Sequence, residues 1–253
     1  MDLDKKSFTP LYYQLADLLR EKIHDGSLTS GMALPSEFDL IDEHNISRGT
    51  VREALRLLEQ EGIIEKRKGV GTFVSAPKIE HETDRPMGFS RVMQMTGKTA
   101  TAQLLEMRKF LPSHSISETL GLSQVDSVYL VKRLRFADEE PLLLEYSYFR
   151  EDVGEKLLNQ NLTKSIYSLM EGKFGLILNR SVNTVEAQLA KEEEAALLGV
   201  ETGSPVLVLK RIVYFDEETP FEYAKDIYRA DRTKFKIRTH KGQLIEKSPI
   251  ENF

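Results

Sequence analysis

The chain has 253 residues, with 35 Lys+Arg against 40 Asp+Glu and no cysteine, for a formal net charge of -5. That length suits two modest domains, each with its own core, and the missing cysteines exclude a disulfide framework and a thiolate metal site. No window nears the ~20 consecutive apolar residues of a membrane helix, and the polar start Met1–Lys6 lacks the apolar run of a signal peptide, so a soluble cytoplasmic protein with no membrane partner is expected.

Thr9-Pro10 opens the first predicted helix, with Thr9 as its cap and Pro10 in the first turn, where its missing N–H is harmless. Leu11, Leu15, Leu18 and Leu19 recur at helical spacing, and Gly26 ends the run. Ser36 caps a second helix, and Asp39 three residues on completes something close to a capping box. His44-Asn45 closes it. Ser47 caps a third helix, whose apolar stripe is Val51, Ala54, Leu55 and Leu58, with Gly62 beyond its end. Arg48, Arg52 and Arg56 follow at intervals of four and stack along one flank of that helix. The strand-like runs Ile63–Lys68 and Thr72–Val74 make a basic hairpin, reversed at Gly69 and Gly71.

Two capped helices and a basic hairpin in this order can place one helix in the major groove of DNA and the hairpin beside it. An arginine in the first turn of the third helix can reach guanine O6 and N7, and Lys66, Arg67 and Lys68 offer phosphate contacts. Taken singly, an arginine stripe is usually a solvated face and a glycine hairpin only a turn. The order and compact spacing of all the pieces carries the DNA reading. Residues 1–75 are nevertheless net acidic, so moderate affinity, strong salt sensitivity and a need for two heads per site are expected.

Leu34-Pro35-Ser36-Glu37, Ser47-Arg48-x-Thr50-Val51-Arg52, Glu61-Gly62 and Gly69-x-Gly71-Thr72-Phe73-Val74 resemble the winged helix-turn-helix head of the GntR superfamily. The resemblance implies that Arg48, Thr50 and Arg52 work in the major groove. It implies that Ser36 and Glu37 organise the second helix's start and nearby backbone contacts, and that Gly69 enters the minor groove with Lys68 beside it. Phe38 and Val70 stand where many relatives carry a basic residue, so an operator sequence is not transferable from those relatives.

Ser75 to Pro86 holds two prolines and dense charge, and it reads as an extended linker, residues 76–86, between a 1–75 head and an 87–253 domain. The second domain contains an internal repeat. Leu120-Gly121 leads into Ser127–Pro141, then Leu144-Glu145-Tyr146 and Phe149-Arg150. Leu198-Gly199 leads into Ser204–Pro220, then Phe221-Glu222-Tyr223 and Tyr228-Arg229. Each copy is a helix end followed by a two-strand hairpin with an acidic, proline-ended turn. Two such copies suit one antiparallel sheet with helices packed on it, an α+β arrangement.

Arg133 and Arg135 lie two apart on a strand and share a face. Two arginines on a largely apolar strand need an anion or buried acidic partners. Glu145 and its counterpart Glu222 occur early in the return strands. The alternative is an exposed face of Arg–Glu cross-strand pairs. Gly88-Phe89-Ser90-Arg91, Lys132-Arg133-Leu134-Arg135, Leu144-Glu145, Ser165-Ile166-Tyr167, Gly203–Val206, Phe221-Glu222-Tyr223 and Tyr228-Arg229 resemble the UTRA ligand-binding domain of the HutC subfamily, which has a chorismate-lyase-like fold. The resemblance implies a phosphorylated sugar, with Phe89, Ser90, Arg91, Arg133, Arg135, Ser165 and Tyr167 around the anion and Glu145, Glu222 and Tyr228 facing the polar body.

A carboxylate metabolite is the alternative ligand. A lyase-like enzyme is the alternative function, although five scattered histidines and no nucleophile motif offer little chemistry. No cofactor and no metal are expected. The function expected is a ligand-responsive repressor: a homodimer on double-stranded, palindromic operator DNA, released by the anion.

Overall fold

In this computed structural model, residues 3–67, 69–82, 87–216 and 218–238 are described. The chain divides into two compact units, residues 1–78 and 79–253.

The first unit holds α1 (Leu11–His24), α2 (Glu37–His44), α3 (Arg48–Gln60), β1 (Ile64–Arg67) and β2 (Gly71–Val74). Its helices exist where apolar residues recur on one face. Leu15, Ala16 and Leu19 of α1, Leu40 of α2, and Val51, Ala54, Leu55 and Leu58 of α3 form one buried cluster. Ser36 and Asp39 make the expected capping box, and Asn45 ends α2 in the left-handed conformation at φ 46°. Ser47 caps α3 by accepting from the Thr50 amide at 3.1 Å. The cap of α1 differs from expectation. Pro10 is the N-cap, and Thr9 makes no capping bond. The Thr9 carbonyl accepts from Gln14 Nε2 at 2.7 Å, which ties the residue before the cap to the first turns of the helix. β1 and β2 pair antiparallel, from Ile64↔Val74 to Arg67↔Gly71. Residues 31–34 run alongside, with the Leu34 amide donating to the Thr72 carbonyl at 2.8 Å, and the hairpin is thereby tied to the helices.

The second unit begins with β3 (Ile79–Glu82) and α4 (Phe89–Met95). β4 (Ala100–Phe110), α5 (His114–Thr119), β5 (Val128–Ala137) and β6 (Glu140–Arg150) make its first half. α6 (Glu151–Leu157) and α7 (Ile166–Phe174) follow. β7 (Arg180–Leu189), α8 (Glu192–Leu198), β8 (Pro205–Tyr214) and β9 (Pro220–Arg229) make the second half, and β10 (Thr233–Lys236) closes the described chain. The sheet is six-stranded and antiparallel, in the order β4-β5-β6-β9-β8-β7. Each half is therefore strand–helix–strand–strand, and the halves meet where β6 pairs with β9. That is the internal repeat in three dimensions, with Gly121 and Gly199 at φ 62° and 67° just after the matching helices.

Alternation along the strands sorts side chains to two faces. Leu134, Leu144, Val206, Val208 and Ile227 pack under α8. On the other face, Val131, Phe149 and Val213 pack with α6 and α7, while Leu143, Leu209 and Tyr228 pack with α4. The arginines and carboxylates of interest lie between these last two clusters. Where α6 crosses β5 the fit is tight: a Cβ on Gly154 would overlap the Tyr129 ring. Gly154→Ala should therefore cost ~1–3 kcal/mol by overpacking, read as a lower urea midpoint for this unit with an unchanged slope.

The segment expected to be a linker contains β3. Ile79 and His81 are buried and alternate with Glu80 and Glu82, and β3 pairs in parallel with β10. Glu80 accepts from Lys234 and Lys236 on the neighbouring strand, each at 2.9 Å. The Lys236 and Lys234 hydrogen bonds hold its carboxyl down to about 2. Glu80 and Glu82, two of the charges that suggested a linker, are thus in long-range ion pairs with Lys234, Lys236 and Arg238; residues 83–86 of the expected linker lie outside the described residues.

Candidate functional site

The exposed flank of α3 carries the candidate DNA-reading residues. Arg48 and Arg52 have side chains 71% and 66% exposed, so both are reachable from solvent. Glu37, at the start of α2, holds them both: Arg48 Nε lies 3.2 Å from Glu37 Oε2 and Arg52 Nε 3.4 Å from Oε1. Surface pairs of this kind contribute at most ~1 kcal/mol, so a phosphate or a guanine edge can displace Glu37. Thr50 lies in the first turn of α3, its Oγ1 2.9 Å from Ser47 Oγ. Ser36 spends its hydroxyl on Asp39, donating to Oδ2 at 2.7 Å, so its part is to fix the helix start.

At the hairpin tip, Gly69 has φ +75° and Gly71 φ +142°. No atom lies within 4 Å of a Cβ built on Gly69, so conformation rather than crowding demands glycine there. Arg67 stacks over Phe73, 4.3 Å from the ring centroid, and pairs with Glu65. Lys68 lies outside the described residues.

The second site sits on the sheet, beneath the starts of α4 and α7. Arg133 and Glu145 are register partners on β5 and β6. Arg133 donates from Nε to Glu145 Oε2 at 2.6 Å, and from Nη1 to the carbonyls of Leu162 and Lys164 at 2.9 and 3.0 Å. Arg135 lies 3.5 Å from the same Glu145 oxygen and donates to Ser90 Oγ at 3.0 Å. Its guanidinium stacks on Phe89, 4.6 Å from the centroid. These pairs are buried, so the alternative of an exposed cross-strand ladder does not hold. Across the sheet, Tyr167 donates its hydroxyl to Glu222 Oε2 at 2.5 Å. Ser165 caps α7 by accepting from the Ser168 amide.

Gly88, Phe89, Ser90, Arg133, Arg135 and Glu145 line one side of the resulting cavity. Ser165, Ile166, Tyr167, Arg211 and Glu222 line the other, and the space left between them is about 10 Å³, room for one water molecule. Tyr228 lines a second cavity, of about 30 Å³, which shares Phe89 and Arg211 with the first.

One expected residue stands apart. Arg91 is exposed and borders neither cavity. Phe89, Val92 and Met93 form the buried side of α4, so helical spacing turns Arg91 outward.

Three residues were not anticipated. Arg211 is the repeat's counterpart of Arg133, just as Glu222 is of Glu145, and the repeat itself was the signal that could have found it. Arg211 donates to Asp226 Oδ2 at 2.8 Å, with Asp226 fully buried. The third is His81 of β3, which lines the second cavity. Among the described residues no cluster of His, Asp and Glu could hold a metal ion.

Burial sets the charge balance. It pushes Asp226 up to about 7 despite the pull of Arg211, and it raises Glu222 as well. Burial works against Glu145 too, but there Arg133 and Arg135 prevail and its carboxyl lies below the ordinary value. Three guanidiniums thus face one firmly ionised carboxylate and two that resist ionisation. The neighbourhood favours an added anion.

A family model described as the UTRA domain matches residues 95–234, and one described as bacterial regulatory proteins, gntR family, matches residues 11–74. The HTH-type transcriptional repressor NagR of Bacillus subtilis (strain 168) is 34% identical over 235 residues, covering 93% of this chain and 97% of its own length. The mannosyl-D-glycerate transport/metabolism system repressor MngR of Escherichia coli (strain K12) is 28% identical, covering 90% and 95%. Among solved structures, PhnF from Mycobacterium smegmatis superimposes with a TM-score of 0.65 at 24% identity, over 91% of this chain and 99% of that one, a likeness of fold. The possible transcriptional regulator YydK from Bacillus subtilis gives 0.58 at 26% identity, over 90% and 99%.

Proposed function

The chain belongs to the GntR family of bacterial transcriptional regulators, in the group that carries a UTRA domain, and on that footing we propose that it is a homodimeric repressor released from a palindromic operator by a phosphosugar. Regulators of this family bind DNA through the head and a small molecule through the UTRA domain. They and the matched relatives are not enzymes, so the lyase reading is set aside. No helix among the described residues is long and apolar enough to cross a membrane.

The observation that carries the choice of effector is the set of buried arginines, Arg133, Arg135 and Arg211, around one cavity. A phosphate matches the fork geometry of guanidinium and needs several of them to offset its dianionic charge. Entry requires opening and exchange: the lining side chains must part, Glu145 must share Arg133 and Arg135 with the ligand, and Ser90 must turn to it. A carboxylate metabolite, with one negative charge, would leave more of that positive surplus unanswered.

Calorimetric titration with hexose 6-phosphates tests the reading, and pH supplies the sign. Above pH 7 a phosphate monoester is already largely dianionic, its second pKa being ~6. Asp226, held at about 7, ionises over the same window and places a negative charge against Arg211, which lines the anion's cavity. Affinity should therefore fall roughly 3- to 10-fold between pH 7 and 8.5, with net proton uptake on binding. Flat affinity across that window would remove Asp226 from the account. No binding of any phosphosugar would remove the effector class.

β3 opens the second unit directly after the head in sequence. A ligand that shifts β3 acts on the segment leading to the head. In a symmetric dimer this alters the separation of the two heads and so their fit to both half-sites.

A further inference from the structure

The second cavity holds polar atoms that the anion does not explain. His81 is 5% exposed, and its Nε2 has no hydrogen-bond partner. Asn183 Nδ2 donates to Ser181 Oγ at 3.2 Å, but its Oδ1 is buried without a partner. Arg211 Nε is buried without one as well, although Nη2 is engaged by Asp226. All three residues border the same space. Buried polar groups are normally satisfied, and each orphan costs ~1–3 kcal/mol. Three orphans around one cavity, on three strands, mark a place built to receive hydrogen bonds.

The His81 ring is also firmly placed. It packs edge-on to Tyr228 at 5.0 Å and against Phe235 at 5.4 Å. Burial, with Arg211 nearby, keeps it neutral by holding its pKa down to about 4. A neutral imidazole and an amide oxygen suit hydroxyl or amide groups rather than a second charge.

The two cavities share Phe89 and Arg211 as common wall. We propose that the second cavity is the far half of the effector site, and that His81 and Asn183 recognise uncharged hydroxyl or amide groups on a two-ended ligand whose anionic end lies between Arg133 and Arg135. This rests on the anion reading above and adds what the other end must be. It assigns selectivity among phosphorylated compounds to His81 and Asn183. Both cavities are small and open on binding: a bare anion engages only the first, and a ring-bearing phosphate engages both.

The test compares short and long probes on the full chain. Inorganic phosphate, glucose 6-phosphate and glucosamine 6-phosphate are titrated by calorimetry into the wild type, His81→Phe, Asn183→Leu and Arg133→Ala. His81→Phe keeps the aromatic packing and removes only the ring nitrogens, and Asn183→Leu tests the same cavity from another strand. In the wild type at least one sugar phosphate should bind 10-fold or more tighter than inorganic phosphate. In each cavity variant that ratio should shrink at least 5-fold while inorganic phosphate binds within 2-fold of wild type. An unchanged ratio in both variants overturns the second compartment and leaves the anion site standing. Unaltered binding of every probe in Arg133→Ala, or no binding of any probe to the wild type, overturns the anion site and this proposal with it.

Discussion

Arg48→Ala will weaken operator binding by roughly 5- to 150-fold per head, the equivalent of ~1–3 kcal/mol for a lost bidentate base contact, and will leave effector affinity unchanged. The side chain is 71% exposed and, among the described residues, its ion pair is with Glu37 at the surface, so the head's core does not depend on it. The substitution also leaves Glu37 with Arg52 as its remaining partner at the surface that would meet DNA, so its carboxylate is less well neutralised where phosphates approach. The expected loss therefore has a base-specific part and a general part. Measured against a preferred duplex and a scrambled one, the first narrows the gap between them and the second lowers both. An Arg48→Ala chain that discriminates the two duplexes as well as the wild type does would place base reading elsewhere on the head.

Arg133→Ala will abolish the response to phosphosugars and will also destabilise the second unit by ~3–5 kcal/mol. Both effects come from one geometry. Arg133 neutralises Glu145 within a buried pair and holds the carbonyls of Leu162 and Lys164 just before α7. Removing it leaves Glu145 buried with only Arg135 at 3.5 Å, and an uncompensated buried charge is costly. The two effects separate in the double variant. Adding Glu145→Gln removes the orphaned charge and should restore part of the unfolding free energy, while effector binding stays lost. Recovery of phosphosugar binding in that double variant would show that Arg133 serves the fold and not the ligand.

The head was legible in the sequence because local rules decide it. Ser36, Asp39, Asn45 and Ser47 are capping residues whose effect reaches only a turn, and the leucines and Val51 mark one face at helical spacing. The repeat likewise revealed the two halves of the sheet and placed Arg133, Arg135 and Glu145 together. Arg211 was missed although the same repeat pairs it with Arg133, because its one-arginine strand looked unremarkable by itself. β3 was missed for a different reason. Its partner β10 lies far along the chain, and a four-residue strand whose outward positions are both glutamate has the composition of a linker. His81 belongs to that strand, and only the fold shows that Tyr228 and Phe235 surround it. Arg91 was placed by the company of its neighbours, whereas the spacing of Phe89, Val92 and Met93 decides that it faces out.

Control of DNA binding requires that the two units report to one another. Coupling of this kind is typically ~1–3 kcal/mol and must be reciprocal, so the effector weakens operator by the same factor as operator weakens effector. Linkage of that sort also predicts that duplex and phosphosugar compete in thermal-shift experiments instead of stabilising the chain additively.

The most direct measurement is the affinity of the full chain for a duplex selected from a random library, read by fluorescence anisotropy with and without saturating glucosamine 6-phosphate or another hexose 6-phosphate shown by calorimetry to bind. Release predicts a 5- to 150-fold weaker operator complex in the presence of the bound sugar phosphate. Equal operator affinity with the site demonstrably filled would contradict it.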